Sequence, residues 1–279
     1  MTPAGDRSCR SRRIDAYFKG FNQNLRDAVI CRRLKETDLP IAPPPKALLF
    51  DVFGTCVDWR QSIIREGEAL ARKQGLPGID WAGFADAWRS RYQPQMESVR
   101  IGSRIWVTLD VLHRESFDLL LPQFGLESIP DDVRFDFNRA WHRLDPWPDT
   151  SRALHSLKTR FIIAPNSNGH IALQVNLAKH GDLPWDAILG AEIAAAYKPQ
   201  PEVYLRSIAA LDLNPSEVMM VAAHNCDLIA ASALGMKTAF IARPHEHGPN
   251  QTTDLTPEAE YDLVATDLLD LAAQLGVTT

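Results

Sequence analysis

The sequence predicts an α/β protein: a Rossmann-like parallel sheet core with an inserted all-helical cap. Two observations carry this. Short apolar runs alternate with helical periodicity along the second half of the chain, and strands alternating with helices imply a parallel sheet covered on both faces. One such run, Lys46-Ala-Leu-Leu-Phe50, stands apart from the others, and about 90 residues of helical periodicity follow it without strand-like alternation. Open parallel sheets bind ligands outside the carboxyl ends of their strands. A cap leaving from the end of the first strand therefore sits over that edge and can exclude water from it.

The organisation read from the chain is an N-terminal arm with a Pro-rich spacer over 1–44, a core over 45–58 and 146–279, and a helical cap over 59–145. The arm carries nine Lys/Arg against five Asp/Glu, so the segment 1–40 is +4 and the remainder −9. Ile14, Tyr17, Phe18, Phe21, Leu25, Ala28 and Val29 follow helical spacing there. The Arg-rich start faintly resembles an organelle presequence, but the plainer reading is an arm that packs on the body or stays mobile. Pro43-Pro44-Pro45 acts as a stiff spacer.

Lys46–Phe50 is the right length for a buried strand. Helices are expected near 60–74, 81–98, 103–120 and 131–144, and Trp147-Pro148-Asp149 forms a turn. Then come a strand at 161–164, a helix at 170–180, a short strand at 187–189 and a helix at 200–211. Strands at 217–222 and 237–241 flank a helix at 226–234, and a helix near 266–275 closes the chain.

With 279 residues, 45% hydrophobic and 23% charged, the chain is long enough for a core plus an insert. The net charge of −5 gives no sign of a nucleic-acid or membrane-surface protein, and no apolar run approaches the roughly 20 residues of a membrane span. Cys9, Cys31, Cys56 and Cys226 are scattered and read as reduced thiols of a cytoplasmic protein.

Asp51 ends the first strand, where this fold collects reactive groups. Gly54 permits a tight turn beyond it, and Thr55 can hold the carboxylate by a hydrogen bond. By itself Asp51 reads as readily as a turn former. Three further segments change the balance: Asn166-Ser-Asn-Gly169, Tyr197-Lys-Pro-x-Pro-x-x-Tyr204 and Val221-Ala-Ala-His-Asn-Cys-Asp227. With Asp51-Val-Phe-Gly-Thr55, they resemble the four ordered motifs of the haloacid dehalogenase superfamily over residues 46 to 275. The resemblance implies that Asp51 is the nucleophile, that Ser167 and Asn168 hold the reacting group, that Lys198 acts electrostatically, and that Asp227 is the acidic residue of the fourth motif.

Phe53 turns the choice of subfamily. Phosphatases of this superfamily need Asp two positions after the nucleophile, to protonate the leaving group and activate water. Phe53 can do neither. An aromatic residue there resembles the type II L-2-haloacid dehalogenases, whose halide leaves without a proton. Trp88-Arg89 resembles the Trp-Arg pair of the dehalogenase cap, which makes Arg89 the expected acceptor of halide and substrate charge. Trp59, Trp88, Tyr92 and Trp106 are candidates for an aromatic wall, although core packing is the commoner fate of such residues. Tyr204, six residues beyond Lys198, can bond into the network. The fourth motif departs from the usual Ser-x-Asn-x-x-Asp: Ala222 replaces Ser and His224 replaces Asn, so water activation is open to rewiring through His224, and His224 and the adjacent Asn225 are read as substrate contacts. His245-x-His247 with His224 is weak evidence for a metal.

The resulting expectation is a cofactor-independent and metal-independent dehalogenase acting on a short halogenated carboxylic acid, with no nucleic-acid or membrane partner and homodimerisation left open. Its rivals are a Mg²⁺-dependent phosphatase, with Asp51 and Asp227 holding the ion, and a non-catalytic binding protein. Retention of Asp51, Ser167, Lys198 and Asp227 together argues against the second.

Overall fold

The computed structural model describes Ile41 and residues 43–278. The amphipathic helix expected in the N-terminal arm, and the arm itself over 1–40, lie outside the described residues.

β1 (Ala47–Phe50) is buried along its whole length. Its alternate side chains feed two apolar cores: Leu48 and Phe50 on one face of the sheet, Ala47 and Leu49 on the other. β1 lies between β4 (Ile162–Ser167) and β6 (Val218–Ala222), and pairs in parallel with both. β5 (Leu189–Gly190), β7 (Lys237–Ile241) and β8 (Leu263–Ala265) complete a six-stranded sheet of order β5-β4-β1-β6-β7-β8, every pair parallel. Phe50 faces Pro165 on one side and Val221 on the other. The three central strands therefore end level, and Asp51, Asn168 and His224 emerge at one edge.

β4 runs three residues past the apolar stretch, because Asn166 and Ser167 pair with Leu189 and Gly190. β8, which apolar patterning did not reveal, is a three-residue edge strand with Val264 half exposed. A two-stranded antiparallel pair, β2 (Val57–Asp58) with β3 (Asp145–Pro146), joins the points where the chain leaves and re-enters the sheet layer. Two-residue strands leave no periodicity to read.

Between them lie helices. The first, Trp59–Gln74, starts with the Asp58 side chain accepting from the Gln61 N–H and ends at left-handed Gly75. The expected helix 81–98 is two, Trp81–Ser90 and Tyr92–Arg100, broken at Arg91. The expected 103–120 helix is Leu109–Phe124, and 131–144 shortens to Asp131–Asn138 followed by a 3-10 turn, Arg139–His142. Trp88, Phe84, Phe117 and Phe137 pack into an aromatic centre among these helices. Polar contacts tie this layer to the sheet layer: His142, held within the helical layer by Asp110 at 2.8 Å, accepts from Asn176, Tyr197 donates to the Val107 carbonyl, and Gln200 donates to the Arg100 carbonyl.

Candidate active site

The level strand ends place Asp51 on the floor of a cavity of about 730 Å³. The helices over it supply Phe53's partners, Tyr92 and Trp141, whose rings stand edge-on at 6.3 and 5.9 Å. Phe53 itself is 2% exposed and lines the cavity, so the position beside the nucleophile is apolar.

The two oxygens of Asp51 have different surroundings. Oδ2 accepts from the Thr55 hydroxyl at 2.8 Å and faces His224 Nδ1 at 3.0 Å. Among the described residues, Oδ1 has only Lys198 Nζ, at 3.4 Å. Burial opposes ionisation of Asp51, but Lys198, then His224 and Thr55, hold its carboxyl well below the usual carboxylate range. Thr55 is itself fixed, because its hydroxyl oxygen accepts the Ala223 N–H at 2.9 Å.

Lys198 is 6% exposed, and its Nζ lies 2.5 Å from Asp227 Oδ2. Burial alone would lower its proton affinity, yet Asp227 and Asp51 raise it above the ordinary lysine value. Asp227 also accepts from the Tyr204 hydroxyl at 2.5 Å. Burial pushes the Asp227 carboxyl up, against the pull of Lys198. Asn168 lines the cavity, and its Oδ1 accepts the Lys198 backbone N–H at 2.8 Å, which leaves its NH₂ as a donor.

Arg89 reaches in from the helix Trp81–Ser90. Its guanidinium lies 4.1 Å from the centre of the Tyr92 ring and 5.4 Å from that of Trp59. Its Nη1 is buried and has no hydrogen-bond partner among the described residues, and Nη2 is 3.9 Å from Glu246. A buried donor with no acceptor is costly unless a ligand satisfies it.

Several expected positions fall elsewhere. Ser167 is buried beneath the cavity, where its Oγ accepts the Gly169 N–H, and it shapes the turn rather than lining the space. Asn225 is turned away: its side chain bonds to Asp254, the Thr256 carbonyl, the Glu258 N–H and Tyr261, and so braces the 254–261 loop. Its placement as a substrate contact is corrected accordingly. Of the four aromatic wall candidates, Trp59 and Tyr92 line the cavity. Trp88 sits in the aromatic centre with its Nε1 donating to the His113 carbonyl, and Trp106 packs on Tyr197.

Sequence reasoning missed Glu246. It lies beyond the carboxyl end of β7, on the same edge as Asp51, and is 1% exposed. Its carboxylate faces His224 Nε2 at 2.9 Å and accepts from Trp59 Nε1 at 3.0 Å. Burial works against its charge, but His224 and Arg89 keep its carboxyl below the usual range. Gly54 explains how it fits: with φ at +88°, a Cβ there would lie 2.1 Å from Glu246 Oε1. The signal available in sequence was position alone, an acid shortly after a core strand, hidden between His245 and His247. Those two histidines do not converge on His224; His247 Nε2 instead lies 3.5 Å from Glu246. Among the described residues, the group with metal-ligand spacing is Asp110, His142 and His170, away from the nucleophile. Asn176 donating to His142 Nδ1 leaves the proton on Nε2, facing Asp110, so hydrogen bonding accounts for that contact.

The chain as a whole is similar to known proteins. A family model described as haloacid dehalogenase-like hydrolase matches residues 45–235. (S)-2-haloacid dehalogenase 1 from Pseudomonas sp. (strain CBS-3) is 28% identical over 203 residues, covering 72% of this chain and 86% of the relative. The crystal structure of the defluorinating L-2-haloacid dehalogenase Rha0230 aligns with a TM-score of 0.81 at 48% identity, over 83% of this chain and 95% of that one. The L-2-haloacid dehalogenase PA0810 aligns at 0.79 and 49%, over 83% and 99%. With the six-stranded parallel sheet and Asp51 at the end of its central strand, the chain belongs to the haloacid dehalogenase-like hydrolases.

Proposed function

We propose that the protein is a hydrolytic dehalogenase that converts short 2-haloacids to 2-hydroxy acids through an ester on Asp51. The observation that carries this reading is the pairing of Asp51 with apolar Phe53 in one cavity with Arg89, whose buried Nη1 has no partner among the described residues. A displacement at carbon needs an ionised nucleophile, a dry approach and a donor for the departing anion. Asp51 is ionised, Phe53, Tyr92 and Trp59 supply the dry wall, and Arg89 supplies the donor.

Asp51 attacks the halogen-bearing carbon and the halide leaves with the bonding pair toward Arg89. Water then hydrolyses the ester at the Asp51 carboxyl carbon, releasing a 2-hydroxy acid inverted at its α-carbon. Asn168 is the placed donor for the substrate carboxylate. Phosphoryl transfer has less support: Phe53 offers no proton for an alcohol leaving group, and Lys198, bonded to Asp227 and near Asp51, already supplies the positive charge between the two carboxylates.

The same reading places the protein in the cytoplasm, where the two described cysteines, Cys56 and Cys226, stay as the free thiols they are. No described helix is long and apolar enough to cross a membrane. A homodimer is part of the proposal, and light scattering checks it. The deciding experiment is a panel of short 2-chloro and 2-bromo acids beside a generic phosphate ester, with magnesium and with EDTA. Halide release that is indifferent to EDTA supports the reading. Phosphate release that needs magnesium, without halide release, overturns it.

A further inference from the structure

We propose that His224, held in place by Glu246, serves the second half of the reaction: with Thr55 it fixes Asp51 Oδ2 as the oxygen that does not attack, then stabilises the charge that gathers on Oδ2 when water adds to the ester. The proposal rests on the dehalogenase reading and assigns it a catalytic residue and a positioning residue.

The geometry begins with His224 between two carboxylates. Nδ1 is 3.0 Å from Asp51 Oδ2, and Nε2 is 2.9 Å from Glu246 Oε2. A neutral imidazole has one N–H, so one carboxylate would meet a ring lone pair. Both contacts are attractive only when both nitrogens carry hydrogen. The surrounding charge agrees. Burial disfavours the imidazolium, but Glu246 and Asp51 raise the proton affinity of His224 well above the ordinary value. The other charged groups nearby act through these anions: Lys198 contacts Asp51, while Arg89 and His247 contact Glu246.

Glu246 is otherwise hard to account for. A buried carboxylate costs several kcal/mol in lost hydration unless it is well paired. This one is 1% exposed, anchored by Trp59 Nε1, and set against the Cα of Gly54, where no side chain fits. Its strongest partner is His224.

The asymmetry at Asp51 then assigns the oxygens. Oδ2 has two donors, Thr55 at 2.8 Å and His224 at 3.0 Å, whereas Oδ1 has Lys198 at 3.4 Å. Oδ1, the less engaged oxygen, attacks and becomes the ester oxygen, and Oδ2 becomes the carbonyl oxygen. His224 cannot assist halide departure, because the leaving group must depart on the side of the carbon opposite the attacking carboxylate. In the first step Asp51 loses its negative charge, so an imidazolium stabilises the reactant more than the transition state and slows alkylation. In the second step the effect reverses. Water oxygen bonds to the Asp51 carboxyl carbon and the carbonyl π pair moves onto Oδ2, where two placed donors meet it. Collapse reforms the double bond to Oδ2 and breaks the bond to Oδ1. The departing alkoxide takes one proton of the added water. The other leaves to solvent as Asp51 ionises again.

The test is rapid-quench analysis of wild type, Glu246→Gln and His224→Asn with a short 2-chloro acid, following chloride and the mass of the Asp51 peptide. In both variants the first equivalent of chloride should appear within a few-fold of the wild-type rate. Steady turnover should fall by about 10²-fold, and the Asp51 peptide should accumulate as the ester. In unmodified protein, raising the pH until His224 deprotonates should also raise the ester fraction, so the proposal is tested even if both variants misfold. It is overturned if first-turnover chloride slows as much as steady turnover without ester build-up, if turnover is unchanged, or if the wild-type ester fraction is flat with pH. Failure of the dehalogenase reading itself would look different: no chloride from wild type at all.

Discussion

Lys198 lies nearer to Asp227 than to Asp51: its Nζ is 2.5 Å from one carboxylate and 3.4 Å from the other. The lysine is thus anchored by the fourth-motif acid and presented to the nucleophile at the limit of a hydrogen bond. It neutralises Asp51 without capping the oxygen that must attack.

Removing that charge should raise the proton affinity of Asp51. The folded value is depressed, so wild-type Asp51 stays ionised above the ordinary carboxylate range, and activity is lost only as pH falls through the lower folded value. In Lys198→Ala, burial is no longer offset by Lys198, and the acid limb of kcat/KM should move to higher pH. An unmoved limb would show that Asp51 is held ionised by other groups. Two buried carboxylates without their cation should also cost the protein about 3 kcal/mol or more, read as a lower denaturant midpoint.

Asp51→Asn should abolish turnover. A single wild-type turnover in ¹⁸O-water should place the label in the Asp51 carboxylate, found by mass spectrometry of its peptide. Label appearing in the hydroxy acid instead would mean direct attack by water on the substrate carbon.

Phe53→Asp should lower dehalogenation at least ~10-fold, equivalent to about 1.4 kcal/mol in the barrier. The new carboxylate would stand beside Asp51 in a small site, raise the proton affinity of one of the pair and repel the substrate carboxylate. Assays of both proteins on haloacids and phosphate esters check this. Unchanged dehalogenation would remove Phe53 from the argument over chemistry.

Asp149→Asn should destabilise the fold without touching the cavity. Asp149 takes both Arg243 guanidinium nitrogens at 2.8 Å and the Leu268 N–H at 2.8 Å, and the same Arg243 donates to the Thr55 carbonyl. Breaking one partner of such a pair typically costs about 3–5 kcal/mol. Burial opposes the Asp149 charge, but Arg243 outweighs it and its folded proton affinity is depressed. The stabilisation is therefore present above the ordinary carboxylate pKa of about 3.9 and is lost as pH falls below it. Urea melts of both proteins at neutral pH and near pH 3 should show the gap narrowing on the acid side.

What could be read from the sequence followed from how each residue acts. The β1 run is apolar because both of its faces are buried, and its strand ends in Asp51, so element and nucleophile were visible together. Lys198, Asp227 and Thr55 stood out through their motifs, and the structure gathers all three around Asp51. Ser167 and Asn225 show the limit of a motif: it marks residues needed near a site without saying whether they face the cavity or hold a loop. Glu246 shows the other limit. Its place depends on a loop returning from β7, 195 residues after Asp51, and a loop that carries no periodicity gives no hint of where it lands. The helix break at Arg91 was invisible for a similar reason, since Trp88, Tyr92 and Met96 keep helical spacing across it.

The close approach of Gly54 to Glu246 also constrains the protein's history. A side chain at position 54 and a carboxylate at 246 exclude one another, with 2.1 Å between the would-be Cβ and Oε1. An ancestor could have acquired Glu246 only where position 54 was already glycine. Once the acid was in place, position 54 was held to glycine for as long as Glu246 stayed. Among descendants, position 246 is free to change alone, whereas a side chain at position 54 should appear only where Glu246 has gone, although the two stand 192 residues apart in the chain.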